Sequence, residues 1–315
     1  MRKLLFFILS LMATTFASAA SPFVQVSNGH FVRNGKPYYY VGTNMWYGAI
    51  LGSEGRGGNR KRLCRELDYL KKNGIDNLRI LVGSDGEEGI KTKVEPTLQK
   101  APCVYNDTIL AGLDYLLMEM GKRKMVAVLY LNNSWEWSGG YGYYLEHAGA
   151  GKAPQTDVDG YPKYMEFVSQ FATNEKAHQL FYNYVRFILS RTNRYTGKAY
   201  KDDPAIMSWQ IGNEPRAFKK EVLPQFEKWL SEASALIRSL VADNASKGGK
   251  FAGCNFWAWG GYAQPRHEHW QPGDDYCGDP SQEAQGLNSV FAKDKSTIKM
   301  VKDEVKRMAK IKNKE

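Results

Sequence analysis

One carboxylate sits where an apolar run stops: Trp209, Gln210, Ile211 and Gly212 lead into Asn213, Glu214, Pro215 and Arg216. The run reads as a buried strand, and Pro215 ends its pairing because proline has no backbone N–H to give. In a barrel of parallel strands, catalytic groups are carried at such strand ends. A carboxyl placed there can lend a proton to a leaving oxygen and later take one from water. That is the acid/base half of glycoside cleavage, which normally uses a second carboxyl as well.

Similar polar or aromatic clusters follow the other apolar runs. They are Asn44, Met45 and Trp46; Gly83, Ser84 and Asp85; Asn132, Asn133, Ser134 and Trp135; and Trp257, Ala258 and Trp259. Tryptophan faces stack on the apolar faces of sugars and bases, and they also pack cores. His267 and His269 follow the last run, but nothing near them completes a metal or acid/base set, so a solvated loop is expected. Asp274, Asp275 and Asp279 lack the regular spacing of a calcium loop. The glycines between 55 and 58 lack the Lys-Ser/Thr pair of a phosphate loop. No metal and no organic cofactor is expected.

These clusters need elements that gather them at one end. Asn28-Gly29 and Asn34-Gly35 predict a hairpin entry over 23–40, and 38–43 is the first core strand. Helical spacing covers 60–73 and stops at Gly74. Residues 77–82 form a short apolar strand, and 106–121 a helix capped by Asn106 or Asp107. The near-continuous apolar run 125–131 suits a parallel strand covered on both faces. Residues 134–161, rich in Gly, Tyr and Trp, read as a long loop. Helix 174–192, strand 205–211, helix 221–240 and strand 251–257 follow. Met300, Val301, Val305, Met308 and Ile311 then recur at helical spacing among Lys and Arg, which predicts an amphipathic C-terminal helix. Strands alternate with helices without internal repeats, which argues for an α/β fold with a parallel sheet. Site residues at one end of every strand suit a (β/α)8 TIM barrel in a single domain, residues 21–315.

The first twenty residues read as a secretory signal peptide. Arg2 and Lys3 open it, 4–16 is apolar, and Ala17, Ser18 and Ala19 make a small-residue cleavage site. The apolar run is too short to span a bilayer, so a secreted or periplasmic, monomeric protein free of the membrane is expected. The chain is 43% hydrophobic and 13% aromatic, which is globular, and carries a net charge of +10. Two of those charges lie in the leader and much of the rest in the C-terminal helix, where they read as a solvated face. No basic patch interleaves with aromatics, so nucleic acid is not an expected partner. Export permits disulfides among Cys64, Cys103, Cys254 and Cys277. Their spacing fits no zinc pattern, Cys254 reads as a buried small hydrophobe, and the pairing stays open.

Taken in order, several pieces resemble glycoside hydrolase family 5, and within it the endo-β-1,4-mannanases of bacteria. Asn34-Gly35-Lys36-Pro37 with Gly42-Thr43-Asn44 is similar to that family's first strand, and Asn77-Leu78-Arg79 to its second. Trp209 through Pro215 is similar to its acid/base strand, and Phe256 through Gly261 to its eighth. Asp279-Pro280, with Gln285 through Val290, is similar to the segment that follows in the mannanase branch. The resemblance implies a β-mannan or related plant polysaccharide as substrate, cleaved with retention. It implies Glu214 as general acid/base, Asn213 on the sugar 2-hydroxyl, and Arg79 holding a catalytic carboxylate. Trp257 becomes a sugar-stacking floor, with Trp46, Asn132, Trp135, Trp137 and Trp259 as further substrate contacts. The plainer readings stay open: an ion-paired Glu, a turn Asn, a structural Arg pair, core tryptophans.

The chain departs from that family after Leu240. The family's seventh strand ends in the nucleophilic Glu, and no counterpart is found before Phe251. About six core strands are counted where a barrel needs eight. An internal deletion near Leu240–Val241 is therefore expected, with loss of the nucleophile and two unpaired strand edges. Glu136 and Glu268 are conceivable replacements. The alternatives to a mannanase are a cellulase-like β-1,4-glucan hydrolase and a non-catalytic carbohydrate-binding remnant.

Overall fold

A computed structural model describes residues 21–241 and 253–312. The predicted leader, the first two residues of the 251–257 strand and the side chains of Cys254 and Ile311 lie outside what is described.

The described chain opens with an antiparallel meander, β1 (Gln25–Ser27), β2 (His30–Arg33) and β3 (Lys36–Pro37). Both of its turns are Asn-Gly pairs with positive φ at each residue, 50° and 80°, then 52° and 73°. That is the turn geometry whose twist matches a two-residue hairpin. The predicted hairpin entry is thus present.

The elements that follow are β4 (Tyr40–Asn44), α1 (Gly48–Gly52), α2 (Arg60–Lys72), β5 (Asn77–Leu81), β6 (Gln99–Ala101), β7 (Val104–Tyr105) and α3 (Asp107–Lys122). Then come β8 (Val126–Tyr130), α4 (Gly140–Ala148), α5 (Thr156–Asp159), α6 (Tyr161–Val168), α7 (Glu175–Ser190) and β9 (Ile206–Gln210). The chain continues with α8 (Leu223–Leu240), β10 (Gly253–Phe256), β11 (Trp259–Gly261), β12 (Val290–Phe291) and α9 (Lys295–Lys312).

Five strands form the central sheet in the order β10-β4-β5-β8-β9, every neighbouring pair parallel. All of β8 is buried, as its continuous apolar run predicts for a parallel strand covered on both faces. About six core strands are expected, and five pair in this sheet among the described residues. Trp259 to Gly261 pairs instead with β12 in a separate two-stranded ribbon. Among the described residues no strand pairs with the outer side of β9 or β10, so the sheet is open between them.

Helices α2, α3 and α7 start where a short polar side chain takes an orphan backbone N–H. Asn59 accepts from Arg62 N at 2.9 Å, Asn106 from Thr108 N at 3.1 Å and Asn174 from Ala177 N at 2.9 Å. Helix α2 ends before Gly74, whose φ of 83° leaves the helical region. Its buried stripe is Leu63, Leu67 and Leu70. In α9 the buried stripe is Ile298, Val301 and Met308, while Met300 is exposed to solvent, which corrects its assignment to the apolar face.

Residues 134–161 are not the predicted loop. They hold a short 3-10 turn, all of α4 and α5, because Tyr141, Tyr144 and Leu145 bury one helical face that the glycines obscure. Gly139 and Gly140 are required by closeness of approach. A Cβ there would meet Asp85 O at 2.2 Å and Asn133 O at 2.1 Å, and both residues have positive φ. No described helix is long and apolar enough to cross a membrane.

Candidate active site

Two adjacent strand ends build the site. After β8 the chain runs through Asn132, Asn133 and Ser134 to Trp135, and after β9 it reaches Asn213 and Glu214. The pairing continues past both strands. Asn213 N donates to Asn132 O at 2.8 Å, and Ser134 N to Asn213 O at 3.1 Å. Ser134 Oγ donates to Glu214 O at 2.5 Å and accepts from Arg216 N at 3.1 Å. One hydroxyl thus fixes the backbone on either side of Pro215. Glu214 itself has φ 45°, a left-handed conformation rare for a side chain that is not Gly, Asn or Asp. Such outliers persist where neighbours over-determine the backbone, and they gather at functional sites.

The Glu214 carboxylate is half exposed. Its Oε2 accepts from Trp135 Nε1 at 2.8 Å and from Arg216 Nη2 at 2.8 Å. Trp135 is held edge-on by Tyr161 and Phe218. Asn213 is buried, and its amide donates to Asn133 Oδ1 at 3.2 Å. Beside these groups lies a cleft of about 470 Å³ whose lining includes Trp135, Trp137, Asn213, Glu214 and Trp257. Trp257 is 38% exposed, an open aromatic face at the mouth of β10. Trp137 lines the cleft too but is almost wholly buried. A larger, more apolar groove of about 760 Å³ runs along the free edge of β9, between the meander and α8. Glu214 and Pro215 border it, but it holds no second carboxylate.

Several predicted site residues are elsewhere. Trp46 is buried, donates Nε1 to Gly278 O at 2.9 Å, and packs edge-on against Trp137 and Tyr276, so it is core. Trp259 is fully buried and donates Nε1 to Glu66 Oε2 at 3.0 Å. Glu66 is itself buried and also takes Arg62 Nε and Tyr262 N, both at 2.8 Å. A buried carboxylate needs those donors, which is why Trp259 points inward. Asn132 is buried beneath the strand ends, its Oδ1 taken by Asn133 N at 2.7 Å, and it does not line the cleft.

Arg79 corrects the expected carboxylate clamp. Its Nε donates to Gln210 Oε1 at 2.7 Å, and its guanidinium lies 4.0 Å from the centre of the Tyr130 ring. No ion pair reaches it among the described residues. Burial lowers the Arg79 pKa from its ordinary value, and Tyr130 and Glu214 oppose that shift.

Of the conceivable second carboxyls, Glu268 is outside the cleft. Glu136 lines it but is buried with both oxygens engaged, by Thr92 Oγ1 at 2.6 Å and Thr156 N at 2.8 Å. Its role is to brace two loops. The residues missed by sequence reasoning are Glu283 and Asn288, which also line the cleft. The only signal for them was the segment 279–290, quoted for its resemblance without roles. His267 Nδ1 meets Asp274 Oδ2 at 2.8 Å on the surface, away from the cleft. Asp279 takes Gly286 N at 2.9 Å and Asn288 N at 2.8 Å, which is loop bracing. Among the described residues no cluster of His, Cys, Asp and Glu is placed to hold a metal. Cys64, Cys103 and Cys277 are free thiols.

The family described as "GH family 5 beta-mannosidase-like" matches residues 21–245 and again 238–313. The chain belongs to that family. A putative mannan endo-1,4-beta-mannosidase 9 of Oryza sativa subsp. japonica is 28% identical over 256 residues, 81% of this chain and 56% of the relative. Mannan endo-1,4-beta-mannosidase 7 of Arabidopsis thaliana is 27% identical over 235 residues, 75% of this chain and 50% of the relative. The chain thus spans about half the length of these curated relatives. A glycoside hydrolase family 5 mannosidase from Rhizomucor miehei superposes with a TM-score of 0.77 at 25% identity, covering 93% of this chain and 99% of that one. A mutant of that mannosidase, solved with mannosyl-fructose, superposes equally well at 25% identity, TM-score 0.77, covering 93% of this chain and 98% of its own. The fold is therefore of the TIM-barrel type, here with an open five-stranded parallel sheet.

Proposed function

We propose that this member of the family acts on β-1,4-mannan as an endo-acting hydrolase. One observation carries the reading: Glu214, Trp135 and the open face of Trp257 share one cleft at the C-terminal ends of the parallel strands. The names of the plant relatives favour mannan over β-1,4-glucan. The mannosyl-fructose complex of the fungal mannosidase favours a mannosyl ligand.

In this reading Glu214 protonates the leaving oxygen and then draws a proton from water. Trp135 and Arg216 orient it, and Trp257 carries a sugar face. A retaining reaction also needs a carboxylate about 5–5.5 Å from the acid/base, and the sequence holds no counterpart of the family's seventh-strand Glu. We therefore keep the inference of an internal loss near Leu240–Val241. The two overlapping family matches meet over 238–245, where α8 ends, and the sheet is open on that side. Membership of the bacterial mannanase branch, a single domain over 21–315, export to the periplasm or medium and a monomeric state are parts of the same proposal.

The test is product release from galactomannan and mannohexaose by residues 21–315, beside Glu214→Ala. Turnover that the substitution abolishes supports the reading. Mannan binding without turnover, unchanged by the substitution, supports a carbohydrate-binding remnant instead. An intact reading frame across the junction in the parent genome, yielding a closed barrel, would overturn the deletion.

A further inference from the structure

The segment between β11 and β12 reaches the cleft, and no role has yet been given to it. Its conformation is set by one buried carboxylate. Asp279 accepts from Asn288 N and Gly286 N, and its own N donates to Ser289 Oγ at 3.2 Å. Gln285 Nε2 adds bonds to Asp279 O at 3.1 Å, Pro280 O at 3.0 Å and Glu283 O at 3.2 Å. The backbone that carries Glu283 and Asn288 is thus held before any ligand arrives.

The two side chains meet at the cleft wall. Asn288 Nδ2 donates to Glu283 Oε2 at 3.1 Å, and both residues line the same cleft as Glu214 and Trp257. The second oxygen of Glu283 has no partner among the described residues, and no cation pairs with either. This is the opposite of Glu136, whose two oxygens are both engaged. A half-buried carboxyl with a free oxygen and no counter-ion, on a pre-set loop, is arranged for a neutral polar ligand. The nearby charges of Asp279 and Glu214 add to its own and disfavour an anion there. A carboxyl and an amide side by side present acceptor and donor atoms at the spacing of neighbouring sugar hydroxyls.

We propose that Glu283 and Asn288 form a hydroxyl-binding pair for the mannosyl unit seated on Trp257, and that they contribute to the choice of mannan over glucan. This assignment rests on the mannan reading above. Mannose and glucose differ at one hydroxyl, and a site built to hydrogen-bond a hydroxyl discriminates against a ligand that misplaces it. Burial pushes the Glu283 carboxyl up, the Asn288 bond opposes this, and the charges of Asp279 and Glu214 add to the rise. Tyr161, on the same cleft, also feels the Glu283 charge.

The experiment is calorimetric binding of mannohexaose and cellohexaose to the Glu214→Gln protein, in which turnover does not confuse the measurement. Glu283→Ala, Glu283→Gln, Asn288→Ala and Trp257→Ala are then added singly, each checked by a thermal melt. Removing the carboxyl should weaken mannohexaose binding about tenfold or more and narrow its advantage over cellohexaose. The isosteric Gln, which spares the fold, should give a smaller loss in the same direction. Unchanged mannohexaose affinity in both Glu283 variants, with Trp257→Ala still weakening it, overturns the pair and leaves the mannan reading standing. No mannohexaose binding by Glu214→Gln itself overturns both.

Discussion

The Glu214 side chain is placed by a hydroxyl, an indole and a guanidinium, and each acts on a different part of it. Ser134 holds its carbonyl, while Trp135 and Arg216 share one carboxylate oxygen. The other oxygen is left for substrate. Replacing the carboxyl by an amide in Glu214→Gln should keep the fold and lower whatever mannan turnover the parent shows by about 10² to 10⁴-fold, the usual range for a general acid/base; an assay of reducing ends against the parent measures it. Asp85 makes a second prediction at this scale. Burial raises its pKa from 3.8 to about 8, opposed by the Gln99 hydrogen bond and the charge of Lys93. The folded form thus holds a proton that the unfolded form has released. Its stability contribution is complete below about pH 4 and disappears as pH rises through about 8. Asp85→Asn should therefore flatten the fall in melting temperature between pH 5 and 9, as read by thermal melts across that interval. Glu214 could be found from sequence because a carboxylate, a proline and an apolar run are adjacent in the chain. Trp46 and Trp259 were misplaced because their direction is set by distant partners, the Gly278 carbonyl and the Glu66 carboxylate.

Elements were legible wherever a local rule determined them. The Asn-Gly turns, the cap at Asn106 and the period of α2 each depend on residues a few positions apart. Helix α4 was hidden because Gly139, Gly140 and Gly142 look like loop residues, whereas they are there for contact. Gly142 faces Ala153 and Tyr164, where a Cβ would come within 3.2 Å of Ala153. Such contacts depend on packing that no window of sequence contains. The α7 cap offers a direct test at this scale. Asn174 accepts from Ala177 N and makes no other side-chain bond among those described. Asn174→Ala should lower stability by about 1 kcal/mol, and Asn174→Asp or Asn174→Ser should restore most of it; denaturant unfolding monitored by far-ultraviolet circular dichroism decides.

Across the whole molecule, the open side of the sheet predicts a tendency to associate in solution. Among the described residues no strand pairs with the outer edge of β9, which runs beside an apolar groove. Free edges of this kind template pairing with other chains, and natural proteins blunt them with lysine. Ser208→Lys on β9 should raise the concentration at which the protein stays monodisperse, read by light scattering; an unchanged threshold would show that the edge is not the site of association. The expectation of two missing strands comes from the absent counterparts of two family strands; among the described residues β9 and β10 have no outer strand partner, and a full strand count needs pairing partners that no sequence window shows. One buried feature works against the opening. Glu66 collects Arg62 from α2, Trp259 from β11 and Tyr262 just beyond it, while Tyr47 ahead of α1 donates to the Trp259 carbonyl at 2.9 Å. Segments almost two hundred residues apart in the chain are thereby fastened to one carboxylate. Their amide protons should exchange with solvent as one cooperative unit. In Glu66→Gln that unit should split, the Trp259 to Tyr262 amides exchanging faster while those of β5 and β8 keep their original clock.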